Sequence, residues 1–141
     1  MSTYCERTDI ENCYGATNVK TWSDLDNDGD ATKIAARITA VIASVSSFVD
    51  GKMRRSKYSL PLLENGATPP VIVTIAAKLC GVELYEGRGI QDFNPDTGGV
   101  VHKLVWNKKE AERLLEQILD GSITLGALTT VTASMPAPEV V

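Results

Sequence analysis

The chain has 141 residues, with 14 Lys and Arg against 18 Asp and Glu for a formal charge of −4, and it is 43% hydrophobic. That is one domain's length, enough to bury roughly two-thirds of the unfolded surface in a core of its own. The composition excludes a disordered tail or a collagen-like repeat, and the mild acidity argues against a protein held to nucleic acid or anionic lipid by overall charge.

The chain starts Met1-Ser2-Thr3-Tyr4-Cys5-Glu6-Arg7, which lacks the charged-then-apolar layout of a secretion signal. Thr8 and Glu11 have the spacing of a capping box, so a first helix is expected there, stopping near Gly15. Residues 18–22 can add a helical turn. Residues 24–30, Asp-Leu-Asp-Asn-Asp-Gly-Asp, read as a polar loop. A second helix over about 30–53 is the clearest element. Ile34, Ile38, Val41, Ile42, Val45, Phe48 and Val49 recur at steps of three and four and form one apolar stripe. Pro61 disfavours a helical Leu60, so residues 58–67 must be loop.

Thr68-Pro69-Pro70 reads as a cap followed by proline in the first turn of a third helix. Val71, Ile72, Ile75, Ala76, Leu79 and Val82 face its core, and it ends near Gly87. Residues 87–99, rich in Gly, Asp, Asn and Pro, are expected to be an exposed loop. Asn107 and Glu110 then resemble a cap and capping-box partner opening a last helix. Its stripe is Ala111, Leu114, Leu115, Ile118 and Leu119, and it ends at Asp120-Gly121. The fold class is mainly α: a small domain of three to four principal helices with long loops. It comprises a helical domain, 1–125, and an apolar extended or disordered tail, 126–141. The strongly apolar runs 38–49 and 71–79 are shorter than the roughly 20 residues that span a bilayer.

Candidate functional residues fall into two groups. Asp24, Asp26 and Asp28 with Gly29 match the first half of a calcium loop, in which alternate carboxylates converge on one hard cation. The twelfth position, where a bidentate Glu belongs, is Ala35. The other reading is a turn whose acids, Asp30 included, complement the positive end of the second helix. Lys52, Arg54, Arg55 and Lys57 form a basic cluster at the other end of that helix, with Tyr58 beside it. They suit an acidic partner or simply the negative helix terminus. Trp22, Tyr58, Tyr85 and Trp106 fall at element edges, where aromatics anchor cores or interfaces. Cys5, Cys13 and Cys80 are odd in number and lack the spacing of a disulfide framework or a zinc site. With His102 the sole histidine, no catalytic constellation can be assembled, so an enzyme is not expected.

Taken in order, these landmarks resemble the phage Mu-like head–tail connector (neck or adaptor) proteins of tailed phages. The resemblance runs from Tyr4 through Asp9-Ile10, Tyr14-Gly15 and Asp28-Gly29. It continues with Asp50-Gly51, Arg55, Tyr58, Leu60-Pro61-Leu62, Pro70, Ile75-Ala76 and Leu84-Tyr85. Trp106, Ala111, Leu114-Leu115, Ile118 and the exit Gly121-Ser122-Ile123-Thr124-Leu125 complete it. Three departures stand out: Ser56 and Lys57 separate Arg55 from Tyr58, Trp106 stands where a Tyr is common, and residues 87–101 look longer than the family pattern.

The resemblance implies a structural virion protein without catalysis or cofactor. It implies a homo-oligomeric ring, dodecameric to match the portal, that binds the portal protein on one side and a tail terminator or tail tube protein on the other. DNA passes through the channel, no membrane is involved, and the protein sits in the virion neck after assembly in the host bacterial cytoplasm. The alternatives from the residues alone are a small calcium-binding interaction module using residues 24–30 and a small helical DNA-binding regulator.

The net charge hides a polarity. Residues 1–30 balance to −5, residues 31–60 to +5 and the remainder to −4. Opposed blocks suit a ring, in which each subunit uses two different surfaces. They suit equally an internal arrangement with acids at one end of the long helix and bases at the other. The apolar tail, with Thr129, Val131 and Thr132, is expected to add as a strand to a partner.

Overall fold

Gly15, with φ +93°, closes one short helix and opens the next, a backbone conformation that a side chain would strain. The computed structural model describes residues 3–56, 58, 60, 62–64, 66–88 and 98–125. In them lie five helices: α1 (Arg7–Tyr14), α2 (Ala16–Ser23), α3 (Ala31–Met53), α4 (Pro70–Arg88) and α5 (Gly98–Asp120). The fold is mainly helical, as the periodicities imply, and the segment on either side of Gly15 is two full helices rather than one helix and a turn.

α4 is the central element, packed by each of the other four helices. Ile72, Ile75, Ala76, Ala77, Leu79, Cys80, Val82 and Leu84 of this helix are all buried. α3 buries Ile34, Ile38, Val41, Ile42, Val45 and Val49 as its stripe predicts. Phe48 departs from the stripe and remains 44% exposed. It lies at the margin of the apolar arc and borders an open cavity together with Leu79 and Val82 of α4. Counting its alanines, α3 is long and apolar enough to cross a membrane, which the shorter run 38–49 had not suggested. Its stripe is instead part of the core, buried together with residues of α2 and α4.

Three helix starts differ from the expected ones. The α1 cap is Glu6, whose backbone N–H donates to the Asp9 carboxylate at 2.8 Å. Glu11, expected to complete the box, pairs with Arg7 one turn earlier at 3.0 Å. α4 begins at Pro70 rather than Pro69, with the Pro69 carbonyl accepting from Ile72 and Val73. α5 begins at Gly98, so Asn107 is not a cap but lies in mid-helix. The interior accounts for that last difference: Asn107 is 7% exposed and points at Tyr14. A helix can carry a polar residue inward when a buried partner completes its hydrogen bond.

The segment ahead of α1 is a clasp. Tyr4 is fully buried and its backbone N–H donates to Ser46 Oγ at 3.0 Å. Its hydroxyl donates to the Asp50 carboxylate and accepts the Leu62 backbone N–H at 3.0 Å. Beside it, Cys5 Sγ lies 3.7 Å from Cys80 Sγ on α4, both as free thiols. The hydrogen bond with Cys5, and then burial, raise the Cys80 pKa well above that of an ordinary thiol. These contacts join the N-terminus to α3, the 58–64 segment and α4 at once.

Candidate interaction surfaces

The two charged groups lie at opposite ends of α3. At 1.5 Å per residue this 23-residue helix is about 35 Å long. The aspartates therefore cannot meet Arg54 or Arg55 of their own chain, and each end is a separate surface.

At the N-terminal end most of the carboxylates are already committed. Asp30 caps α3, its Oδ1 accepting the backbone N–H groups of Thr32 at 2.9 Å and Lys33 at 3.3 Å. Asp24 accepts from the N–H groups of Asp28 and Gly29 at 3.2 and 3.0 Å, which closes the loop on itself. Asp26 and Asp28 converge, but on Lys33, whose ammonium lies 3.1 and 2.9 Å from them. That ammonium holds the Asp28 carboxyl below its usual range, and the two carboxylates raise the Lys33 pKa in turn. Lys33 is the cation this loop holds. Among the described residues, no group of three or more His, Cys, Asp or Glu side chains is arranged for a metal ion.

At the C-terminal end Arg54 and Arg55 are exposed, one turn or less beyond the last residue of α3. The Lys52 ammonium lies 5.6 Å over the Phe48 ring, a cation–π contact that holds the charge against the helix. Lys57 falls outside the described residues. Tyr58 belongs to the core rather than the surface. It is 3% exposed, and its hydroxyl accepts the Leu125 backbone N–H at 2.7 Å. That bond fixes the point where the chain leaves α5 toward residues 126–141, which also lie outside the description, as do the strand-addition residues Thr129, Val131 and Thr132. The exit therefore lies next to the basic end of α3.

Of the other aromatics expected at element edges, Trp22 and Tyr85 are anchors and Trp106 is the exception. Tyr14, Trp22 and Tyr85 stack edge-to-face in a row, with centroids 5.5 and 5.4 Å apart. Trp106 is not at an element edge; it lies in the middle of α5 with 66% of its surface exposed. Nothing in its spacing marks it as exposed, because the cap-like pattern at Asn107 and Glu110 places Trp106 ahead of the helix.

One family model, described as Bacteriophage Mu, Gp36, matches residues 4–141, nearly the whole chain. The chain belongs to the bacteriophage Mu Gp36 family. No curated protein matches it. Membership makes this a phage protein, in agreement with the resemblance carried by the order of its turns and stripes. It also fits the clasp: the family match begins at Tyr4, the residue that ties the N-terminus to α3 and to Leu62. In this Gp36-family chain the features left over once the core is accounted for are surfaces: the two ends of α3, and the exposed Trp106 and Phe48.

Proposed function

We propose that this chain is a structural protein of the phage particle, a head–tail connector. In this reading it assembles as a homo-oligomeric ring, dodecameric to match the portal, between the portal protein and a tail terminator or tail tube protein. It extends the DNA channel in the virion neck without catalysis, cofactor or membrane contact.

Membership of the Mu Gp36 family over residues 4–141 is the observation that carries this reading. The geometry supports it in one respect. A rigid helix about 35 Å long presents acid at one end and base at the other, as expected of a subunit whose two ends face different neighbours. The aspartates are largely neutralised by Lys33 and by backbone donors, while Arg54 and Arg55 project. The basic end is therefore the stronger candidate for an acidic protein partner, and modest net acidity suits a channel through which DNA must slide.

Electron microscopy of purified particles, with the chain located by a tag, tests the placement. A ring of this chain between portal and tail is the expected result, and density anywhere else in the particle overturns it. The charge-reversing pair Arg54→Glu and Arg55→Glu is expected to abolish assembly on isolated portals. Intact assembly by that variant removes the basic end from the interface.

A further inference from the structure

α3 and α5 both pack on α4, and between them runs an open groove. Leu79 and Val82 of α4 make its apolar floor, Phe48 one wall and Glu112 the other, with Glu83 and Glu86 on the rim. This part encloses about 310 Å³. A second cavity of about 350 Å³, bounded by Lys52, Leu115 and Glu116, shares Glu112 with it and extends it by about one helical turn. Four carboxylates against the ammonium groups of Lys52 and Lys108 leave the groove acidic around an apolar floor.

Trp106 lies on the other side of α5. At about 100° per residue it points roughly 120–160° around the helix axis from Glu112 and Lys108. Its neighbours on that outer face include Lys109 and Arg113, one and two turns onward, and the 48%-exposed Val105 borders it. Arg113 is ion-paired to Glu110 of the same face, in an exposed, weak pair that an incoming carboxylate can replace. One subunit thus carries an aromatic knob with cationic neighbours on one side and an apolar groove with an anionic rim on the other.

We propose that the groove between α3 and α5 receives Trp106 of a second copy of this chain. Trp106 covers Leu79 and Val82, while Lys109 and Arg113 of the incoming copy meet Glu83, Glu86 and Glu112. A buried tryptophan beside desolvated cationic partners is the composition of an interface hot spot. Because knob and groove are different surfaces, the contact is head-to-tail and repeats, which generates a ring if the rotation closes. The charges select this occupant over the chain's own residues 126–141, whose one charged side chain is Glu139. The inference rests on the ring reading and names its lateral contact, leaving the two ends of α3 for other partners.

The test replaces Trp106 with the photo-crosslinking residue p-benzoylphenylalanine in the full-length chain. Isotope-labelled and unlabelled copies are mixed, irradiated and mapped by mass spectrometry, with oligomer size followed by native mass spectrometry. Cross-links between copies that land on the α3 segment containing Phe48 or the α4 segment containing Leu79–Glu86 support the contact. Cross-links within one copy to residues 126–141, or between copies to any other surface, overturn it. An oligomer that forms with cross-links elsewhere refutes this contact and leaves the ring standing. Absence of any oligomer of the unsubstituted chain, in solution and on isolated portals, refutes both, whereas an oligomer lost only on replacing Trp106 supports the contact. In parallel, Trp106→Ala is expected to weaken self-association at least about 30-fold while leaving thermal stability unchanged, because the side chain is exposed within one copy. Unchanged self-association by this variant also overturns the contact.

Discussion

The ring of Tyr14 lies against the backbone of Gly81. A β-carbon at Gly81 would stand 2.0 Å from Tyr14 Cε2 and 2.4 Å from Cδ2, well inside van der Waals contact. The ring has no room to retreat. Its hydroxyl donates to the Lys78 carbonyl at 2.9 Å and accepts from Asn107 Nδ2 at 3.1 Å, and Trp22 packs edge-to-face with the ring. Gly81→Ala is therefore expected to lower stability by about 1–3 kcal/mol or more through overpacking, despite the better helix propensity of alanine. Gly87→Ala is the control. Its β-carbon would meet only the Arg37 guanidinium, the mobile tip of a side chain, so a change within about 1 kcal/mol is expected. Chemical denaturation of both variants reads the contrast, and equal effects would remove the Tyr14–Gly81 account.

Asn107 carries a second prediction. Its amide donates to Tyr14 from a buried site, so replacing it by leucine leaves the Tyr14 hydroxyl one donor short and places bulk against it. Asn107→Leu should cost about 1–3 kcal/mol, and Tyr14→Phe a similar amount. The double variant should cost less than the two singles together, because each single already breaks the shared bond. Strict additivity in a double-mutant cycle would show that the two groups do not interact.

Asn107 also shows where sequence reading stops. α3 is legible because its stripe repeats over more than four turns, from Ile34 to Val49, behind an acidic start at Asp30. Asn107 and Glu110 copy the cap pattern just as well, yet the pattern cannot say that Tyr14, 93 residues earlier, awaits the amide. Tyr4 was legible as a landmark but not as a clasp. Chain ends usually fray, and only its long-range bonds to Ser46, Asp50 and Leu62 show otherwise. The same holds for the candidate surfaces. The charge blocks at the two ends of α3 could be counted along the sequence. The groove is made by α4 holding α3 and α5 apart, and Tyr58 turned inward to meet Leu125; both are products of packing.

The start of α3 gives a third prediction, which separates capping from charge pairing. Asp30 satisfies two backbone donors that otherwise face solvent alone, so Asp30→Ala should cost about 1 kcal/mol. Lys33 bridges Asp26 and Asp28, but with 57% of its side chain exposed those pairs are screened. Lys33→Ala should leave stability close to that of the parent and cost less than Asp30→Ala. A larger loss from Lys33→Ala than from Asp30→Ala would mean that the loop is held by its ion pairs and not by its cap.

The last prediction concerns alkaline pH. Burial foremost, together with the hydrogen bond to Asp50, pushes the Tyr4 phenol from 10.0 up to about 12. Burial does the same to Tyr14, from 10.0 to about 12, against the opposing donation from Asn107. In the unfolded chain both phenols ionise near pH 10. A group whose folded pKa is raised gives its full stability below the unfolded value and loses it as pH rises through the folded one. The sensitive window for the two tyrosines is therefore pH 10 to 12, and the raised Cys80 thiol adds a loss of the same sign that begins near pH 9. Helical ellipticity should collapse cooperatively within that window, together with the tyrosinate absorbance of these two residues. Tyr4→Phe removes one titrating group, so its stability should be lower than that of the parent at neutral pH but fall less steeply above pH 10. Ionisation of all four tyrosines with ellipticity intact would show that neither phenol is held protonated by the fold.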